Sequence, residues 1–220
     1  MSSILKIDWA THEAAKFACE KWHYTGKIPV NKLVKIGAWE NGNFIGVIIF
    51  GCGASATLHN QFNVTRFEVC ELVRVALTKH VTPVSRIMKI ALKFLKKANP
   101  LLKVCVSFAD PSQGHHGGIY QANGWIYTGM SEPVVQWFIN NGWRHTTDAC
   151  KRFTLEKRKQ LPKRFKSGKH RYVFPFDPII KKKVELIAKP YPKRAESIVV
   201  DAPAIHAGEG GAEPTSALHS

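Results

Sequence analysis

Tyr120 and Asp110 are the side chains whose types and surroundings best permit proton transfer. The apolar run Val104-Cys105-Val106-Ser107-Phe108-Ala109 reads as a buried strand and feeds the polar turn Asp110-Pro111-Ser112. Gly117-Gly118 then opens a short helix carrying Tyr120, which Gly124-Trp125 closes. A phenol at the end of that helix can face the gap beyond the strand and protonate a departing group in an acyl transfer. A tyrosine that merely packs helix on sheet accounts for it as well. Asp110 stands at the carboxyl end of a strand, where open sheets bind ligands, and can orient an amine or take its proton. Ser112 can bond a carbonyl or a phosphate. An Asx-type turn is the plainer reading of both.

Other candidates are weaker singly. His23-Tyr24 falls in a loop after the first helix, in position to close over an acceptor; a helix-terminal histidine favoured by the macrodipole is the alternative. Glu71 and Arg74 interrupt an otherwise apolar strand, so each needs a partner or a function. Thr82, Ser85 and Arg86 surround a helix start that can hold one phosphate. His115-His116, with Asp110 or His23, sketches a two-His, one-carboxylate iron site. Nothing has C-x-x-C or H-x-x-x-H spacing, and no metal is expected.

The elements that must position these groups follow from periodicity and turn chemistry. A strand over 4–9 precedes a helix capped by Thr11 and reaching about Trp22. Strands over 33–40 and 44–51 flank Asn41-Gly42, a strong hairpin signal. A Gly/Ser/Asn-rich loop covers about 51–66, and 70–77 is a further strand. Val84, Ile87, Met88, Ala91, Leu92 and Leu95 share one face of a helix running from Thr82-Pro83 to about Lys97. After the Tyr120 helix come a strand over 125–128 and a hairpin of 134–139 with 143–150, turning at Asn140-Asn141-Gly142. The order β-α-β-β-β-α-β-α-β-β indicates α/β or α+β with a mixed sheet.

Charge divides the chain. The net formal charge is +16, and residues 151–194 hold sixteen Lys/Arg against three Asp/Glu, with aromatics interleaved. Such a block attracts polyanions by counterion release, while the rings offer stacking platforms. A solvated basic face or a polybasic membrane contact is the alternative. The expected organisation is a catalytic domain over 1–150, a cationic nucleic-acid arm over 151–194 and a disordered tail over 195–220. The arm's phosphate contacts are expected from Lys163, Arg164, Lys166, Lys169 and Arg171. The five cysteines are odd in number and scattered, which points to a reducing compartment. With no signal-peptide pattern and no long apolar run, the expectation is a cytoplasmic protein without membrane contact.

The strand, loop and Tyr-bearing helix at 104–125 resemble the cofactor half of GNAT-type acyltransferases. That likeness implies a GNAT-like mixed, splayed central sheet flanked by helices. CoA users of that type place a glycine-rich loop before the central helix, whereas Val81-Thr82-Pro83-Val84-Ser85-Arg86 has no glycine. Trp22-His23-Tyr24-Thr25-Gly26, Glu71-Leu72-Val73-Arg74, Phe108-Ala109-Asp110-Pro111-Ser112 and Gly118–Gly129 together resemble the bacteriophage Mom DNA-modification family. Asn141-Gly142-Trp143-Arg144-His145 and Lys169-His170-Arg171-Tyr172 fit as well.

The resemblance implies an enzyme of the host cytoplasm that converts adenine N6 in double-stranded phage DNA to N6-carbamoylmethyladenine, making the DNA resistant to host restriction. It implies a pocket lined by His23, Tyr24, Arg74, Asp110, Ser112 and Tyr120, with Thr82, Ser85 and Arg86 toward the donor. The product carries the atoms of one glycyl unit, so glycyl-tRNA is the expected donor and acetyl-CoA the alternative. Trp125, Trp137 and Tyr24 are expected to stack on an extruded base. Two other readings stay open: a non-catalytic nucleic-acid-binding protein on an acyltransferase-like scaffold, and an acetyl-CoA-dependent N-acetyltransferase.

Overall fold

Strand β1 (Leu5–Trp9) and helix α1 (His12–Trp22) begin the fold, with the Thr11 hydroxyl accepting the Ala14 amide at 3.1 Å as the N-cap. In this computed structural model residues 3–30, 32–52 and 57–193 are described, and the expected tail over 195–220 lies outside them. Strands β2 (Leu33–Glu40) and β3 (Asn43–Gly51) turn at Asn41-Gly42, where both residues have positive φ, the conformation of a type I′ hairpin. β4 (Val69–Leu77) follows, then helix α2 (Val84–Ala98), which buries Ile87, Met88, Ala91, Leu92 and Leu95 and leaves its lysines outside.

After α2 come β5 (Val104–Ala109), the short helix α3 (Gly118–Gln121) and β6 (Ile126–Met130). β7 (Val134–Ile139) and β8 (Gly142–His145) form the next hairpin. The strand expected over 143–150 stops at His145. There the imidazole Nδ1 accepts the Thr147 amide at 3.1 Å and starts α4 (Thr146–Arg152), so N-capping chemistry overrides the strand. α5 (Leu155–Lys159), β9 (Lys163–Lys166), β10 (His170–Pro175) and α6 (Pro178–Glu185) complete the chain.

Seven strands form one mixed sheet in the order β1-β2-β3-β4-β5-β10-β6, and β8-β7-β9 form a second, smaller sheet. β10 therefore corrects the expected division at residue 150. It pairs antiparallel with β5 from His170↔Ala109 to Pro175↔Val104 and also with β6, and Tyr172 and Val173 are fully buried. The cationic segment is woven into the body of the protein. One face of the large sheet is covered by α2 through a core that includes Phe50, Leu72, Met88, Leu92 and Trp125. The other face is covered by α1 over Val47, Ile49 and Ala76, and by α6 over Val104, Val106 and Val173. The expected mixed α/β architecture, helices flanking a mixed sheet, is the one observed. Among the described residues no helix is long and apolar enough to cross a membrane.

One junction sets up everything that follows. β4 and β5 are the single parallel neighbours of the large sheet, paired from Val69↔Val104 to Leu72↔Ser107. Beyond that point β4 continues to Leu77 and β5 to Ala109 without pairing to each other, so the sheet splays. Ser107 Oγ donates to the Leu72 carbonyl at 2.8 Å, which pins the crotch of the fork. A parallel crossover leaves the carboxyl ends of its strands free for a ligand, and here those ends also separate.

Candidate active site

The fork opens into a cleft of about 1110 Å³. Val73, Arg74, Val75 and Leu77 of β4 form one wall and Phe108 and Ala109 of β5 the other. His23 and Tyr24, the loop Gly114–Gly118 with Tyr120, and Lys166, Ser167 and Lys169 close it. Its volume is at the upper end of ordinary ligand pockets, roughly 300–1,000 Å³, and it is open on one side.

Tyr120 is nearly buried yet lines the cleft. Its phenol lies 2.8 Å from Ser107 Oγ. Ser107 has one proton for two neighbours, and the Leu72 carbonyl can only accept. Whenever Ser107 serves the carbonyl, the phenol is therefore the donor to Ser107. Burial pushes the phenol up to about 12, outweighing the hydrogen bond that Ser107 can donate to it, so Tyr120 keeps its proton at neutral pH. Gly117, at φ +88°, lets the loop before α3 lie against the Tyr172 ring, where an added Cβ would come within 2.2 Å.

His23 and Tyr24 both line the cleft, and Tyr24 is 54% exposed, with its ring 4.4 Å from that of His23 and 5.2 Å from that of His115. His23 Nδ1 accepts the Thr25 amide at 3.2 Å, with the Thr25 hydroxyl 2.8 Å away, so the proton of the neutral ring sits on Nε2. Burial, then the charge of Arg74 and the neighbouring His115 ring, lower its pKa to about 4. Arg74 donates to the Val73 carbonyl at 2.6 Å, while its Nε is buried without a partner. A guanidinium left with an unsatisfied donor at a cleft wall is suited to receive a carbonyl or phosphate oxygen.

Asp110 stands just behind the wall, 4% exposed, and does not itself line the cleft. Lys166 Nζ lies 3.0 Å and Lys169 Nζ 3.5 Å from its Oδ2. Oδ1 accepts the Ser112 hydroxyl at 2.6 Å and the Ser112 amide at 3.0 Å. Burial raises the Asp110 pKa, but Ser112 and the two ammoniums outweigh it and hold the carboxyl at about 2. So weak a base is a poor proton acceptor at neutral pH, and the expectation that Asp110 moves protons gives way to an anchor for two lysines. Ser112 is exposed and serves the turn, as the Asx reading of this tripeptide has it. Gly168 brings the lysine turn onto the strand-end loop: an added Cβ would sit 1.8 Å from the Ser131 carbonyl oxygen.

The expected donor residues are corrected. Thr82 is buried, and its amide and hydroxyl donate to Glu40 Oε1 at 2.8 and 2.5 Å, while the Val81 amide donates to Oε2 at 2.8 Å. Those three hydrogen bonds, the Thr82 hydroxyl's first, hold the Glu40 carboxyl at about 2. The Val81 and Thr82 amides, just ahead of the N-cap Pro83 of α2, thus already hold a carboxylate. Ser85 and Arg86 lie on the first turn of α2 outside the cleft lining.

The cationic residues are corrected too. Lys166 and Lys169 belong to the cleft, and Arg171 is half-buried, its Nε donating to Thr128 Oγ1 at 2.7 Å and its Nη1 to Gln61 Oε1 at 2.8 Å. Arg164 and Lys163 stay on the small sheet. Of the three rings expected to stack on a base, Trp125 is fully buried and Trp137 hides its indole nitrogen without a partner, so Tyr24 alone faces the cleft. Among the described residues no group of three or more His, Cys, Asp or Glu is placed to hold a metal. Glu40, Ser107 and the lysine–Asp110 cluster were not foreseen, and their partners lie 42, 35 and 56 residues away along the chain.

Comparisons with known proteins meet this geometry. Among solved structures the chain is similar to the aminoglycoside acetyltransferase AAC(6')-Ib in complex with coenzyme A, at 11% identity and TM-score 0.49, over 83% of this chain and 99% of that one. It is also similar to FeeM, an N-acyl amino acid synthase from uncultured soil microbes, at 12% identity and TM-score 0.44, over 79% and 90%. No curated protein sequence matches. The model of one family, described as the Mom protein family, matches residues 4–193, a span that takes in His23, Arg74, Tyr120, both sheets and the late strand β10. The chain belongs to the Mom protein family.

Proposed function

We propose that this protein transfers a glycyl unit from glycyl-tRNA to the N6 amine of adenine in double-stranded DNA, and that the adduct rearranges to N6-carbamoylmethyladenine. The observation that carries the reading is the cleft at the β4–β5 fork, lined by Tyr120, His23 and Arg74, with Glu40 holding the Val81 and Thr82 amides just ahead of α2. Amides already bound to a carboxylate are not free for a phosphate, which favours a donor presented on a carrier other than CoA.

The bookkeeping closes without a further reagent. Adenine N6 attacks the ester carbonyl, forming an N–C bond and breaking the C–O bond to ribose. The proton lost from N6 balances the one gained by the ribose oxygen. The free amine of the glycyl adduct then attacks C6, and cleavage of the original C6–N6 bond leaves C6–NH–CH2–CO–NH2, an isomer of the adduct. Tyr120, protonated up to about pH 12, gives its proton only to a strongly basic oxygen such as a leaving ribose alkoxide. Arg74 polarises the ester carbonyl. His23 donates from Nε2 and, uncharged, does not repel the attacking amine. Lys166 and Lys169, fixed by Asp110, hold phosphates at the rim.

The target base must leave the duplex to enter the cleft, at a cost of a few kcal/mol. Tyr24, half-exposed beside His23, offers it a stacking face. The test supplies purified protein and plasmid DNA with glycyl-tRNA labelled in the glycine or with labelled acetyl-CoA, and reads nucleosides by mass spectrometry. A carbamoylmethyl mass on deoxyadenosine carrying the glycyl label is expected. Label entering from acetyl-CoA alone would overturn the donor, and unmodified adenine with tight DNA binding would favour a binding protein.

A further inference from the structure

The small sheet has two unlike faces, and its register assigns them. Residues paired directly across antiparallel strands share a face. Val134↔Lys166, Gln136↔Arg164, Gln136↔His145 and Phe138↔Trp143 therefore lie on one side, and Trp137↔Lys163, Trp137↔Arg144 and Ile139↔Gly142 on the other. On the second side α4 lies against β7 and β8, Ile139 and Ala149 are buried and the Trp137 nitrogen is sealed, while Phe165, paired with Val135, stays exposed with Lys163 and Arg144 at its edge. The first side is open and continues the cleft, since Val134, Gln136, His145 and Lys166 all line it.

That open side is built for a stacked polyanion. Arg164 lies flat over Trp143, its guanidinium carbon 4.5 Å from the ring centroid, and Nε donates to Gln136 Oε1 at 2.9 Å. Phe138 meets Trp143 edge-on at 5.3 Å and is 38% exposed. None of the residues that the register places on this side is acidic. Phe138 lies four residues along β7 from Val134 at the cleft, roughly 13 Å at about 3.3 Å per residue. An apolar pair at that distance from a base pocket, next to a hairpin tip, suits a wedge against an opened base step.

We propose that the cleft-side face of the β8-β7-β9 sheet is the docking surface for double-stranded DNA. Trp143 and Phe138 stack against the base step vacated by the extruded adenine, and Arg164 and Lys166 carry the adjacent phosphates. The inference rests on the DNA reading above and narrows it, replacing a diffuse cationic arm by one face of one sheet. Lys163, although cationic, lies on the wrong side.

The test measures binding to a pool of duplexes with randomised flanks and a central 2-aminopurine, reading anisotropy for affinity and 2-aminopurine emission for extrusion. Trp143→Ala is expected to weaken binding about tenfold and to remove the emission rise, because one aromatic–base stack is lost. Trp143→Phe keeps a ring and most of the affinity, which separates stacking from misfolding. Arg164→Ala weakens binding and lowers the slope of log affinity on log salt by about one. Arg144→Ala, an equal charge on the second side, leaves both signals unchanged. Arg144→Ala matching Arg164→Ala would overturn the proposal. So would intact DNA binding and emission in both Trp143→Ala and Arg164→Ala, including the case in which tRNA binding falls instead. Neither signal needs a donor or a product, so failure of glycyl transfer and failure of this surface are read separately.

Discussion

Asp110→Asn distinguishes an anchor from a base. The wild-type carboxyl drops from its ordinary 3.8 to about 2 on folding, and it is 4% exposed. At roughly 1.4 kcal/mol per pKa unit, ionised Asp110 stabilises the native state by about 2 kcal/mol at neutral pH. Because the folded value is the lower one, that stabilisation is full above the unfolded pKa and disappears as pH falls through the folded one. The loss in Asp110→Asn should therefore be about 2 kcal/mol at pH 7, about half of that near pH 3, and little by pH 2. Urea unfolding of both proteins across this range, followed by tryptophan emission, gives the difference directly. In the variant Lys166 and Lys169 face each other without a counter-charge, so transfer should fall through weaker substrate binding, seen as a raised KM, with a smaller change in kcat. A stability difference that does not change with pH would refute the ion-cluster account. An unchanged KM with a collapsed kcat would return Asp110 to the chemistry.

Tyr120→Phe removes one hydroxyl and leaves Ser107 bonded to the Leu72 carbonyl. It should cut turnover by roughly a hundredfold to ten-thousandfold while DNA affinity holds, as kinetics and anisotropy together check. The His23 ring titrates near 4 and not near its usual 6.5. A pH–rate profile should therefore lack an acid limb between those values on its account, and Nδ1 should stay unprotonated by nitrogen-15 NMR at pH 6. Gly168→Ala places a methyl against the Ser131 carbonyl oxygen and should pull Lys166 and Lys169 off Asp110. Its Asp110 carboxyl should titrate upward toward the ordinary value, measurable by carbon-13 NMR.

Features encoded within a few residues were legible in the sequence. Asn41-Gly42 fixed its hairpin by φ alone, the α2 seam by spacing, and the β5–turn–α3 unit by an apolar run followed by glycines. His23, Tyr24, Arg74 and Tyr120 do meet at one cleft. What sequence reading missed depends on remote pairing. The late segment looked like an arm because charge dominates its composition, yet Tyr172 and Val173 are buried between β5 and β6. The charge of Lys166 and Lys169 was plain, but their anchoring was hidden because the carboxylate they meet lies far upstream. Glu40 closes the head of α2 from a neighbouring hairpin, and no local pattern announces that.

The position of β10 also dictates when the enzyme can exist. β5 is made early, but its outer edge stays bare until the strand ending at Pro175 has left the ribosome, because β6 reaches the sheet only through β10. The lysine turn that closes the cleft comes just before β10 in the chain. A nascent or prematurely terminated chain therefore has a fork without a lid and an exposed strand edge. Fragments ending before this strand are candidates for aggregation or proteolysis rather than for a folded cleft.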